Sequence, residues 1–263
     1  MASVIVRAMF ARLFGHAYKP QPQPSTVPDG SRIYAIGDIH GCRNLLDKLH
    51  EQILRDVLDF KGTRRVVVYL GDYVDRGLES REVVDRLLDN PLPGFESIYL
   101  KGNHEQALLD FLQDSRVALD WMSYGGDATL YSYGVGLEGP RSNPATLMNL
   151  QEKFRTNLPD RHLAFYQSLA LAHEEQDYLF VHAGIKPGVP LDAQKESDLL
   201  WIRDEFLDSS ENFGKVIVHG HTITRVPEVK KNRIGIDTGA FASGVLTCLA
   251  LEGSDGRFLD TRR

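Results

Sequence analysis

From residue 32 onward, short apolar runs alternate with helical stripes. Arg32-Ile33-Tyr34-Ala35-Ile36 has the pattern of a buried strand. Residues 43–58 repeat apolar side chains at helical spacing and place Leu45, Leu46, Leu49, Ile53, Leu54, Val57 and Leu58 on one stripe. Val66-Val67-Val68-Tyr69-Leu70 is a second strand. Val83, Val84, Leu87 and Leu88 mark a second helix, closed at Asn90-Pro91. Ser97-Ile98-Tyr99-Leu100 is a third strand, and a third helix opens near His104. This β-α-β-α-β order predicts an α/β fold with a parallel sheet and right-handed crossovers. Residues 114–172 are less regular and hold Trp121, Tyr124, Tyr131 and Tyr133; they read as a mostly helical insert. The last third is strand-rich, at 178–182, 215–219, 233–237 and 245–251, with short spacings that favour hairpins. The full sheet system should therefore be mixed.

A chain of 263 residues with 42 % hydrophobic and 25 % charged residues can bury a core without staples. The net charge of −6 argues against a general nucleic-acid binder. Two cysteines, Cys42 and Cys248, make no disulfide framework, which fits a cytoplasmic setting. No apolar run approaches the roughly 20 residues of a membrane span. Residues 1–30 differ from the rest: an apolar, basic stretch is followed by the Pro-rich KPQPQPSTVPDG, which reads as an extended linker. Val4, Ile5, Met9, Leu13 and Phe14 could line one face of a short helix that docks a partner or a membrane surface, although a terminal arm is the simpler reading. The catalytic domain is then expected over 31–263.

The chemistry concentrates where the predicted strands end. The first runs into Gly37-Asp38-Ile39-His40-Gly41, the second into Gly71-Asp72-Tyr73-Val74-Asp75-Arg76-Gly77, and the third into Gly102-Asn103-His104-Glu105. Later strands end in His182-Ala183-Gly184 and His219-Gly220-His221-Thr222. Sites in open α/β sheets form at the carboxyl ends of strands, so these five clusters should converge. A lone Asp there is usually a turn former and a lone His a core residue; five clusters in register argue for a joint role. Carboxylate, imidazole and amide oxygen suit manganese, iron or zinc better than calcium. An Asp-x-His pair can serve one ion, and a carboxylate such as Asp72 can bridge two.

GDIHG, GDYVDRG, GNHE, HAG and GHT, in this order, resemble the signature of the metal-dependent phosphoprotein phosphatases among the calcineurin-like metallophosphoesterases. The likeness is to their short bacterial and bacteriophage-lambda-type branch, over roughly residues 32–250. The resemblance implies two mixed sheets packed as a β-sandwich and flanked by helices, and a protein serine/threonine phosphatase in which a metal-bridging hydroxide attacks phosphorus in line. It implies two divalent ions, manganese first, with iron or zinc as alternatives. By motif, Asp38 and His40 would bind the first metal, Asp72 would bridge, and Asn103, His182 and His221 would bind the second. His104 would be the general acid, oriented by Asp75. Arg76 would grip phosphate, as would Arg203 in Trp201-Ile202-Arg203, with Asn103 also facing substrate. The expected partner is a phosphorylated protein or peptide, or else a small phosphoester or nucleotide.

Rival motifs fail. Neither cysteine has an Arg six positions on, the zincin-like start at His104 ends in Leu108, and Gly134-Val135-Gly136-Leu137-Glu138-Gly139 is followed by Pro140 rather than a helix. His219 and Asp237 are expected to have supporting or turn-forming roles, and Cys42 to be a passive thiol. A dinucleoside polyphosphate hydrolase is the nearest enzyme alternative, and a non-catalytic phospho-binding scaffold the alternative of another class.

Overall fold

A computed structural model of the chain describes residues 24–136, 138–141 and 143–262. The expected N-terminal arm lies outside them as far as residue 23. The end of the Pro-rich stretch is tied down: Val27 is buried and donates its N–H to Gly253 O, and Thr26 bonds to Asp177.

Two five-stranded sheets form the centre. In the first, β1 (Ser31–Ile36), β2 (Arg64–Tyr69) and β3 (Glu96–Tyr99) run parallel. Antiparallel β9 (Thr247–Glu252) and β10 (Asp255–Asp260) complete that sheet beyond β1. The crossovers are α1 (Arg43–Asp56) and α2 (Ser80–Asp89), and α3 (Asn103–Gln113) follows β3. The second sheet has the order β4 (Ala172–Glu175), β5 (Tyr178–Val181), β6 (Val216–His219), β8 (Arg233–Gly235), β7 (Glu228–Val229).

Strand periodicity explains the layering, because alternate side chains face opposite sides of a sheet. Ile33 and Ala35 of β1 and Val66 and Val68 of β2 meet Tyr178, Phe180, Val218 and Ile234 of the second sheet in one apolar layer. Tyr34, Ile36, Val67 and Tyr69 face the other way, against Leu46, Leu49 and Ile53 of α1 and Val83, Val84 and Leu87 of α2. The result is a β-sandwich flanked by helices.

Two expectations are corrected. Strands 178–182, 215–219 and 233–237 are neighbours but pair in parallel rather than as hairpins. The links between them carry α8 (Glu196–Trp201) and α9 (Asp204–Leu207), whose Leu199 and Phe206 cover the outer face of β5 and β6, and the edge strand β7. Leu58 leaves the α1 stripe and is 78 % exposed, because the chain tightens into a 3₁₀ turn at Val57–Asp59 and rotates it outward.

Between α3 and β4 lie α4 (Ala118–Trp121), a kinked turn (Met122–Gly126) in which Gly125 has φ 103°, α5 (Asp127–Ser132), α6 (Pro144–Asn157) and α7 (Asp160–Ser168). α10 (Ala240–Ser243) precedes β9. Among the described residues no helix is long and apolar enough to cross a membrane.

Candidate active site

The loops leaving β1, β2, β3, β5 and β6 meet at the carboxyl edge shared by the parallel strands. Asp38, His40, Asp72, Asn103, His182 and His221 are all buried there. Asp38 accepts the backbone N–H of His221 at 3.0 Å, which joins the first loop to the last. His104 N donates to Asp72 Oδ1 at 3.1 Å. Close approach requires glycine: a Cβ on Gly102 would lie 2.0 Å from Asp72 Oδ1, and one on Gly220 2.1 Å from Asp38 Oδ1.

Backbone strain marks the same place. Among the described residues, six non-glycine positions have positive φ, and five are His40, Asp72, Asp75, Arg76 and His221. Each costs on the order of 1–3 kcal/mol and persists only where neighbours over-determine it. Glu105 supplies much of that restraint. Its buried carboxylate accepts N–H groups from Asp72, Tyr73, Val74 and Gly102. It thus clasps the loop that carries Asp72 and Asp75 to the first turn of α3.

The donor set fits divalent cations. His40 Nδ1 donates to Val74 O at 2.8 Å, so its Nε2 carries a lone pair. That nitrogen lies 3.5 Å from Asp72 Oδ2 and has no hydrogen-bond partner among the described residues. His182 Nδ1 donates to Leu70 O at 2.9 Å; its bare Nε2 faces Asn103 Oδ1 at 2.8 Å, His221 Nδ1 at 3.2 Å and Asp72 Oδ2 at 3.5 Å. Lone pairs thus converge on both sides of Asp72. Ligand atoms of two groups, His40–Asp72–His104 and Asp72–His182–His221, lie close enough together to hold an ion each.

Electrostatics agree. Burial lowers His40 to about 3 and His221 to about 2, and lowers His182, so all three imidazoles are neutral at pH 7. Burial, then the Asp237 and Asp72 carboxylates, pushes Asp38 well above the usual range, a cost that a cation would reverse.

His104 belongs to the first group by distance, yet its ring is engaged elsewhere. Its Nδ1 lies 2.6 Å from Asp75 Oδ2, and its Nε2 faces Arg76 Nη2 at 3.2 Å. Burial alone would lower its pKa; the carboxylates of Asp72 and Asp75 outweigh burial and raise it. The Arg76 guanidinium lies over the Phe241 ring at 4.7 Å. Arg203 Nη1 reaches Thr222 Oγ1 at 3.1 Å and His221 O at 3.3 Å, at the rim of the same site.

His219 turns away from the centre. Its ring packs edge-on against Phe206 and lies near Arg233. Asp237 forms a turn through Gly239 N, yet its Oδ2 is buried without a partner among the described residues, and burial first of all pushes it up to about 6. Burial pushes Cys42 up to about 11, against thiolate chemistry.

Sequence reasoning did not single out Trp121, Thr129, Tyr124 or Phe241 at this site. Trp121 Nε1 and Thr129 Oγ1 both donate to Asp75, at 2.9 and 2.6 Å. They lie 46 and 54 residues away in sequence, and no local pattern announces them.

Comparison with known proteins fits this geometry. The profile of the family described as Calcineurin-like phosphoesterase matches residues 31–235. Serine/threonine-protein phosphatase 2 of Salmonella typhimurium is 31 % identical over 226 residues, covering 82 % of this chain and 90 % of that protein. The asymmetrical bis(5'-nucleosyl)-tetraphosphatase PrpE of Halalkalibacterium halodurans is 26 % identical, covering 81 % and 87 %. Among solved structures, a candidate diadenosine tetraphosphatase superposes with a TM-score of 0.58 at 22 % identity, covering 90 % of this chain and 98 % of that one. A Saccharomyces cerevisiae protein serine/threonine phosphatase gives 0.51 at 16 % identity, covering 90 % and 84 %. At these identities the structural matches speak for the fold alone.

Proposed function

The chain belongs to the calcineurin-like phosphoesterase family and is a phosphoester hydrolase, and from that premise we propose that it is a dinuclear protein serine/threonine phosphatase. The carrying observation is the buried His104–Asp75 pair, whose other ring nitrogen, Nε2, faces Arg76 beside Asp72. A serine or threonine alkoxide is a poor leaving group and needs a proton, and a positioned acid contributes about 10²–10⁴-fold.

Asp38, His40 and Asp72 would hold one ion, and Asp72, Asn103, His182 and His221 the other. When bound, the two ions supply an activated water and neutralise phosphoryl charge. The chain's own residues do the rest. Arg76 and Arg203 present planar guanidinium forks to phosphate oxygens, which orients the ester for in-line displacement. Asp75 takes the Nδ1 proton of His104 in a hydrogen bond, so Nε2 is the nitrogen that delivers a proton to the leaving oxygen. Manganese is the first metal to try, then iron and zinc.

A second reading has its own support. The Tyr124 and Trp201 rings lie 6.3 Å apart, are 46 % and 42 % exposed, and each sits near a site histidine. Such faces suit a nucleobase, as a dinucleoside polyphosphate would present. Turnover with manganese of phosphoserine and phosphothreonine peptides, p-nitrophenyl phosphate and diadenosine tetraphosphate separates the two. A higher kcat/KM on peptides supports the phosphatase reading, a higher value on the dinucleotide transfers the assignment to the second, and no turnover of any of them refutes both.

A further inference from the structure

The segment from Trp121 to Thr129 is nine residues of helix interrupted by a kink at Gly125, and it touches the partner of the acid and the phosphate clamp at once. Asp75 is wholly buried, and its carboxylate accepts three side-chain donors. His104 Nδ1 and Trp121 Nε1 share Oδ2, at 2.6 and 2.9 Å, and Thr129 Oγ1 takes Oδ1 at 2.6 Å. Since the threonine hydroxyl spends its proton on Oδ1, its lone pairs are left to accept the Asp75 backbone N–H at 2.8 Å and the Ser80 hydroxyl at 3.0 Å. An indole N–H can only donate, so Trp121 admits only an acceptor opposite it. The indole itself cannot swing. Phe111 and Phe154 flank it at 4.9 and 5.8 Å, and Gly126 lies so close that a Cβ there would sit 2.5 Å from the ring. Between the two donors, the kinked turn accepts the Arg76 backbone N–H at Gly125 O and the guanidinium at Tyr124 O.

We propose that Trp121 and Thr129 are positioning residues for the proton-transfer step: together they fix the plane of the Asp75 carboxylate, and through it the orientation of the His104 ring. Neither touches the reacting atoms. Without them the carboxylate is free to rotate about its Cβ–Cγ bond, and the Nδ1 hydrogen bond no longer specifies where Nε2 points. Partners directly behind a metal-binding group typically carry about 10–100-fold in activity, and these two act through Asp75, so the lower end is expected. The inference rests on the reading of His104 as the acid.

The test uses the full chain loaded with manganese. Trp121→Phe, Thr129→Val, Thr129→Ser and His104→Ala are compared on a phosphoserine peptide and on p-nitrophenyl phosphate, whose leaving group needs little protonation. Trp121→Phe and Thr129→Val are expected to lower peptide kcat about 10-fold or more, with p-nitrophenyl phosphate turnover, KM and manganese content each changed by less than about 3-fold. Thr129→Ser keeps the hydroxyl and should restore peptide turnover, which a packing role for the threonine methyl would not allow. In the chain loaded with diamagnetic zinc, the downfield proton signal of the His104 Nδ1–H should shift in Trp121→Phe and in Thr129→Val and keep its wild-type position in Thr129→Ser. Should Trp121→Phe fail to fold, the Thr129→Val and Thr129→Ser pair decides the matter. Equal losses on both substrates, or none, in the Trp121 and Thr129 variants overturn the inference. If those variants lack the split while His104→Ala shows it, the inference alone falls. If His104→Ala also loses both substrates equally, the acid reading falls with it.

Discussion

Replacing Glu105 with glutamine should unseat the loop on which the site depends. The carboxylate accepts Asp72 N at 2.8 Å and Gly102 N at 2.9 Å on one oxygen, and Tyr73 N at 2.8 Å and Val74 N at 3.3 Å on the other. All four partners are donors. Glutamine keeps the shape but puts an NH₂ where one oxygen was, so two buried N–H groups face a donor. Hydrogen bonds to a charged acceptor contribute about 1.5–3 kcal/mol each, so losing two costs about 3–6 kcal/mol. The other two bonds weaken to neutral strength. Against this, burial, then the Asp72 charge, pushes Glu105 up to about 8, so the comparison is made at pH 9, where the acceptor is charged, and removing that buried charge returns a few kcal/mol. The net expectation is a loss of about 3 kcal/mol. Equilibrium unfolding in urea, read as a midpoint shift at constant slope, measures it. The same variant should bind manganese more weakly, because Asp72 and its left-handed backbone sit on the released loop. A stability change under about 1 kcal/mol with unaltered manganese affinity would refute the assignment of Glu105 as the clasp.

Further expectations concern the acid, the clamps and pH. His104→Ala should lower phosphoserine-peptide turnover about 10²-fold or more while p-nitrophenyl phosphate turnover falls far less, and Asp75→Asn should do the same more weakly; comparison of kcat on the two substrates checks it. Arg203→Ala should weaken inhibition by inorganic phosphate about 10-fold with manganese content unchanged, as a lost charged contact requires; unchanged inhibition would remove Arg203 from the clamp. His50 is buried, its Nε2 accepts the Tyr69 hydroxyl at 2.9 Å, and burial followed by the Arg86 charge lowers it to about 3. It is neutral in both states above pH 6.5, whereas below that the unfolded chain binds a proton that the fold excludes. Stability should therefore fall by about 1.4 kcal/mol per pH unit from this residue as pH drops from 6.5 toward 3, and His50→Gln should flatten that slope in urea titrations.

The first half of the fold was legible because its strands and helices are separated by glycine-rich turns, and because period and chemistry coincide. Ile33 and Tyr34 face opposite layers, and the polar residues begin where the apolar run ends. The side chains that meet around Asp72 sit next to those strand ends, so strand order alone brings them together. The direction of β5, β6 and β8 was not legible, because short apolar strands look alike in either direction and only the cover from Leu199 and Phe206 shows how the chain returns. β4, β7 and β10 lack apolar runs; β10 reads Asp255-Gly256-Arg257-Phe258-Leu259-Asp260, half of it polar. Trp121 and Thr129 were hidden for a different reason. Their bonds to Asp75 depend on how the insert packs on the sheet layer, which no spacing within 121–129 encodes.

Anomalous diffraction at the manganese edge, from crystals of the full chain grown with manganese, would count and locate the ions at this site. Two peaks are expected about 3.5–4 Å apart on either side of Asp72, one within bonding reach of Asp38 and His40 and the other of Asn103, His182 and His221. A single peak, or two peaks that do not share Asp72, would contradict the dinuclear reading.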